Sequence, residues 1–425
     1  MQSSSHTSDT TDLSPPERRT SFRTLLGSMD RQFVVLAVAA RLPTAMLPLG
    51  ILLYVADRTG SYATGGLAVA ALSVGGGLGG SLVGLAADRF GQRGVGTLVT
   101  SVQVLALGAF LVLGPGDVLP VTMGLAALIG LTNPQAGAMA RSRWAVVARS
   151  RRDRRQFTST AMAWEGAVDE SSFVLGPVLV STVAGLTEPA VGLVLALVLA
   201  AVTQIGFAVH PSALPGRGRS HHDQHRERAP LPLLQVGCLL VAMAGVGIVF
   251  GATQTGVAAR MATAGTDELT GPVYAVMGVG SAIAGLLTTR LPQLFRLEAR
   301  IACAGALIAV AGVAVSGAHQ PLLLAAGCLL LGVALAPALV SSYALAERSA
   351  PRGWATTMMT LLGTANVVGV AAGAAVAGLL VDRASPGAAL LVDVAAGALV
   401  LVAGLVALLA RSPATPTRSG AAAGG

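Results

Sequence analysis

Residues 84–93 read GLAADRFGQR, and the interpretation of this stretch decides the fold. Long apolar runs flank it, so Asp88, Arg89 and Arg93 stand where almost every neighbour suits hydrocarbon. An adjacent aspartate and arginine are costly in lipid, so they mark a helix end at a membrane face. Gly84, one turn earlier, is expected to let a second helix cross closely, because it has no side chain there. Gly91 permits the tight reversal that starts the next helix. The stretch therefore reads as a turn between two membrane helices.

Composition agrees. Only 11% of the 425 residues are charged and 53% are hydrophobic, where a soluble chain carries about a quarter charged. Ala, Leu, Val and Gly dominate, which suits helices packed on helices in lipid. The net charge of +8 comes entirely from arginine. These arginines fall in short segments between apolar runs, so the basic balance is a topology signal and no nucleic-acid partner is expected. Cys238, Cys303 and Cys328 lie far apart in apolar runs and read as structural thiols, with no disulfide framework, metal spacing or cofactor implied. Residues 1–32 show no apolar stretch of a signal peptide. That segment and residues 411–425 are expected to be disordered and cytoplasmic.

A span needs about 20 apolar residues. Twelve candidates follow: 33–55, 64–86, 95–114, 118–140, 158–184, 189–209, 233–256, 270–290, 299–317, 321–346, 354–381 and 387–410. With the N-terminus inside, 24 arginines fall on the inner side, and only Arg58, Arg260 and Arg383 on the outer. Arg41 is left within a span. This bias places both termini in the cytoplasm of a plasma (inner) membrane protein. The longest polar run between spans, residues 210–232, separates a first set of six spans (33–209) from a second (233–410). His221, His222 and His225 cluster there without acid or thiol partners, as in a solvated linker. Gly84-Leu85 with Arg89 recurs as Gly285-Leu286 with Arg290, and Gly130 and Pro134 are echoed by Gly332 and Pro337, so the halves read as copies.

Gly84, Asp88, Arg89, Gly91 and Arg93 fill every fixed position of the pattern G-x-x-x-D-R-x-G-x-[RK]. The chain thus resembles the major facilitator superfamily, whose pattern lies between helices 2 and 3. The resemblance implies an all-α membrane fold of twelve helices in two six-helix bundles. It also implies a secondary active transporter that works by alternating access, in which Asp88 bonds across to the other bundle when the inner side closes. Gly176-Pro177 resembles the core of the superfamily's antiporter motif, G-x-x-x-G-P-x-x-G-G, but Ser172 and Val180-Ser181 depart from it, so a proline kink with a small packing surface explains the pair equally well. The arginine that the superfamily often carries in span 4 is replaced by Thr132.

Polar groups inside spans are the candidates for function. Span 5 carries Glu165, Asp169 and Glu170 near mid-depth. Glu165 and Asp169 are four residues apart and share a helix face, whereas Glu170 is rotated about 100° from Asp169. Arg41 lies at a similar depth on span 1 and is expected to pair with one acid, leaving the other to carry a proton. Asn133, Gln135, Gln254 and Asp393 are the candidates for the substrate cavity. The run GGGLGG at Gly75–Gly80 is a packing surface, since no strand precedes it. The expected activity is proton-coupled export of a small organic molecule by a monomer, with protons and lipid as its other partners. Uptake or facilitated diffusion is the alternative, and a receptor or membrane enzyme a remote one. The outer loops lack the clustered acids or histidines that an enzyme would need.

Overall fold

The computed structural model describes residues 25–115, 119–216, 233–288, 295–350 and 354–410, in which every regular element is a helix. In chain order these are α1 (Arg31–Thr59), α2 (Tyr62–Phe90), α3 (Gln92–Leu113), α4a (Leu119–Leu131), α4b (Ala136–Arg149), α5 (Arg154–Leu186) and α6 (Pro189–Val209). The second half holds α7 (Leu233–Ala264), α8 (Asp267–Thr288), α9 (Leu297–Gly317), α10 (Pro321–Ser349), α11 (Ala355–Arg383) and α12 (Pro386–Leu409). Eleven helices are long and apolar enough to cross a membrane. The twelfth crossing is made in two pieces, α4a and α4b.

That break corrects the span read at 118–140. Pro134 has no amide to donate and clashes with a preceding turn. The helix stops at Leu131, Gln135 takes a left-handed φ of 53°, and a new helix continues well past residue 140, to Arg149. Irregular backbone at this depth is tolerated where it lines a cavity or is buried in protein. α1 also bends, at Ala40 and Arg41, just ahead of Pro43. An even number of crossings leaves both chain ends on one side, called here the terminal end; the opposite side is the far end. The expected linker residues 217–232, the expected segments 1–24 and 411–425, and Arg290 of the repeat lie outside the described residues.

The twelve crossings form two bundles. Met46, Leu49, Ile51, Leu52, Tyr54 and Phe110 anchor the first core, and Met243, Val246, Ile308, Leu331 and Leu335 the second. Glycines set the close crossings. A Cβ on Gly75 or Gly79 would run into the backbone of α4a, and one on Gly130 into that of α2 at Leu72. In the second half, Gly332 meets the backbone of α8 at Met277 in the same way, so the paired Gly130 and Gly332 perform one job in each copy. Gly247 and Gly251 on α7 interlock with Gly369 and Gly373 on α11. Such crossings use dispersion between backbones where lipid offers no hydrophobic drive.

The bundles meet most tightly at the far end. Gly66 of α2 packs on Ala374 of α11, Gly378 of α11 on Tyr62, Gly271 of α8 on Pro177 of α5, and Gly185 of α5 on Glu268. The side chain of Asp382, on α11, caps the first turn of α2: it accepts from the amides of Tyr62 (2.9 Å) and Ala63 (3.0 Å) and from the Ser61 hydroxyl (2.6 Å). A carboxylate at a helix N-terminus satisfies amides that have no partner inside the helix.

Candidate functional site

The bend in α1 turns Arg41 inward. Its guanidinium donates to the Ala37 carbonyl, to Glu165 Oε2, and through Nε to Asp169 Oδ1 at 2.6 Å. Glu165 and Asp169 stand one turn apart on α5, so one arginine reaches both. The second oxygen of each acid is also taken. Trp144 on α4b donates its indole N–H to Glu165 Oε1 at 2.7 Å, and Arg141, one turn earlier, pairs with Asp169 Oδ2. Gly137 makes room: a Cβ there would stand 3.2 Å from Asp169 Oδ1 and 3.4 Å from Arg41 Nε. Two cations and two carboxylates thus form one charge-balanced network across α1, α4b and α5. A buried set of this kind is tolerable only because each charge is partnered.

Its members differ in access. Glu165 is fully enclosed, Arg41 is buried, and Asp169 is 27% exposed. Asp169, Arg41 and Arg141 line a cavity of about 240 Å³ with Ser172 and Phe173. A larger cavity of about 460 Å³ adjoins it, and Thr44, Asn133 and Gln135 line both. The larger one lies between the bundles, with α1, α2, α3 and α4 on one wall and Thr360, Gly363, Thr364, Val367 and Val370 of α11 on the other. Thr44 donates to Asn133 Oδ1 at 3.0 Å, and Gln204 on α6 donates to the Ala40 carbonyl and to Thr44. The broken crossing therefore does local work, carrying Asn133 and Gln135 to the junction of the two cavities.

Other residues singled out from sequence stand elsewhere. Gln254 is buried in α7, and Asp393 is fully buried, accepting from Thr253 at 3.0 Å. Neither lines either cavity, which corrects their place among the cavity candidates: both helix faces turn into the second bundle's core. Glu170 is exposed one turn from Val174, the residue that packs on Gly278 of α8, and makes no bond to Arg41. Gly176 packs under Ala45 of α1, and the Pro177 carbonyl meets Gly271 of α8.

In the 84–93 turn, Gly91 has φ 96° and Arg89 lies over the Phe90 ring at 5.0 Å. Arg93 donates to the Val209 carbonyl at 2.6 Å, and the amide of Gln92 to the Leu214 carbonyl at 2.9 Å, so the segment after α6 docks on this turn. Arg143, buried against the Phe207 ring, ties Gln92 and Ser212 into the same seat. The expectation that Gly84 marks a close crossing is not met in this conformation, since no atom lies within 4 Å of where its Cβ would be. Asp88 makes no hydrogen bond or ion pair among the described residues. Both face the terminal end, where the bundles are apart.

Arg141, Trp144 and Gln103 are the site residues that the sequence reading passed over. Ending span 4 at residue 140 put Arg141 and Trp144 in a loop, and the signal that would have kept them was Asn133-Pro134 as a break with helix resuming beyond it.

The sequence model of the Major Facilitator Superfamily matches residues 33–374. The chain belongs to this superfamily. Among curated proteins none matches the sequence. Solved structures with the same fold include the nucleoside transporter NupG (TM-score 0.69, 11% identity, 89% of this chain and 98% of that one). Another is the POT family transporter PepTSo (TM-score 0.63, 11% identity, 90% and 97%). A third is the human organic anion transporter MFSD10 (TM-score 0.54, 17% identity, 92% and 100%). At these identities the likeness is one of fold. It is that of a membrane-embedded transporter, and the cavity between the bundles is the place in such a fold where a small molecule would sit.

Proposed function

We propose that this protein is a secondary active transporter that exports a small organic molecule in exchange for protons, with Asp169 as the proton carrier. The observation that carries this reading is the position of Asp169 between Arg41 and Arg141 on the wall of a cavity. A carboxylate held by two arginines is ionised. Taking up a proton releases both guanidiniums into the cavity, and that change of charge is what a change of access can follow. Glu165 is the fixed partner: it is enclosed, and Trp144 and Arg41 occupy its oxygens. Far-end closure by Asp382 and the inter-bundle glycines, with Gly84 and Asp88 unopposed at the other end, fits one of two alternating conformations. With the termini cytoplasmic, as the arginine bias argues, this is the inward-facing one. The test is substrate movement in proteoliposomes under an imposed pH gradient, in both directions; a rate that ignores the gradient refutes the coupling.

A further inference from the structure

The larger cavity has no ionisable side chain in its lining, and its floor is glycine where the fold does not require glycine. The run Gly75–Gly80 serves two ends. A Cβ on Gly75 or Gly79 would strike the backbone of α4a, so those two are demanded by packing. At Gly76 the nearest atom to a Cβ would be the Gly130 carbonyl oxygen, 3.8 Å away, and at Gly80 the Gln135 amide nitrogen, 3.4 Å away. Both are ordinary contacts, so alanine fits the fold at either position. Yet Gly76 and Gly80 both line the cavity, one turn apart on one face of α2, and present bare backbone to it. Above this ledge stands Gln103 on α3, 1% exposed. Its amide nitrogen donates to the Ile129 carbonyl at 3.1 Å, while its Oε1 has no partner in the structure, although it belongs to a cavity-lining side chain. A buried acceptor left empty costs about 1–3 kcal/mol, so the position suits a donor supplied by a bound molecule.

We infer that the larger cavity binds an uncharged, flat molecule bearing hydroxyl or amide groups, whose ring lies on the Gly76–Gly80 ledge and which donates a hydrogen bond to Gln103. A charged group would find no counter-ion there, and leaving a charge unpaired out of water is expensive. Hydroxyls on Ser73 and Ser81, with Thr364 opposite, supply the remaining polar partners. This rests on the transporter reading and adds its substrate class.

The test uses the full chain in detergent and four probes of similar size. Uridine and arbutin are uncharged rings with hydroxyls; uridine 5′-monophosphate is an anion and nicotinamide riboside a cation. Binding is read as a concentration-dependent rise in Tm. At least one uncharged probe should raise Tm and neither charged one should. Gly76→Val, which fills the ledge, should weaken that binding on the order of tenfold or more while its own unliganded Tm stays near wild type. Gly76→Ala should weaken it less, and Gln103→Leu should weaken it without moving the charged probes. Equal shifts from charged and uncharged probes, no shift from either uncharged probe, or full binding by Gly76→Val would overturn the assignment. Binding with this pattern but no flux in proteoliposomes would instead refute the transporter reading and leave the site intact.

Discussion

Arg41 and Asp169, 128 residues apart in sequence, meet at 2.6 Å between α1 and α5, and the same guanidinium holds the enclosed Glu165. This makes Arg41 the hinge of the network. Arg41→Ala leaves the Glu165 charge buried without its cation, and breaking a buried pair costs about 3–5 kcal/mol. The purified variant should therefore melt well below wild type. Arg41→Ala with Glu165→Gln should recover part of the loss, because the stranded charge is gone. A double variant no more stable than the single would mean the cost lies in packing alone. Arg41→Lys should rescue poorly, since an ammonium lacks the planar fork that serves two carboxylates and a carbonyl.

The two acids should separate in function. Asp169→Asn keeps the shape on the cavity wall but cannot exchange a proton, so it should lose accumulation driven by a pH gradient yet retain substrate exchange without one. Glu165→Gln should chiefly lower stability, and gradient-driven accumulation should persist in whatever protein folds. Parallel flux measurements in proteoliposomes decide this. Gradient-driven accumulation by Asp169→Asn removes it as the carrier.

Topology can be tested directly. With Cys238, Cys303 and Cys328 replaced, a thiol placed at Thr266, between α7 and α8, should react with an impermeant maleimide in intact cells. One at Ser220 should react only after permeabilisation. The reverse pattern would sink the orientation argued from the 24-to-3 arginine bias.

Much of the fold was legible because a membrane restricts the solutions. Twelve apolar runs, broken by Asp88-Arg89 and similar pairs, leave little choice but helices. Span 4 was misjudged at its end because its apolar run stops at residue 140, while the helix that matters begins at Ala136 and is amphipathic. Arg41, Glu165 and Asp169 stood out as charges in apolar surroundings, but Arg141 did not, because arginines near span ends are common. Gln254 and Asp393 stood out for the same reason as Asn133, yet they face a core: polarity in a span says that a group is unusual and does not say which way its helix face points. The split of Gly75–Gly80 into packing and cavity glycines was not readable either, since it depends on where the α4a backbone passes.

Asp88 makes no bond in this conformation, which predicts how its removal behaves. Asp88→Asn should leave the melting temperature of the purified protein unchanged and should slow transport, because its partner forms only when the terminal end closes. Flux and Tm measured on the same preparation check this. A lowered Tm with normal flux would make Asp88 a structural residue of the turn.

Asp382 holds the opposite end. Its carboxylate takes two backbone amides and a hydroxyl at the start of α2, all from the other bundle, so these bonds exist only while the far end is shut. Losing a cap costs about 1 kcal/mol, up to about 2. Here that cost falls on one conformation alone and shifts the balance between the two by roughly 5- to 30-fold. Asp382→Ala should therefore expose the cavity more often to the far side. A thiol placed at Ser73, on the wall of the larger cavity, should then react faster with an impermeant maleimide added from that side than it does with Asp382 intact. Asp382→Asn retains an acceptor oxygen and should fall between the two. Unchanged labelling in both variants would show that the glycine crossings at Gly66, Gly271 and Gly378 hold the far end without the cap.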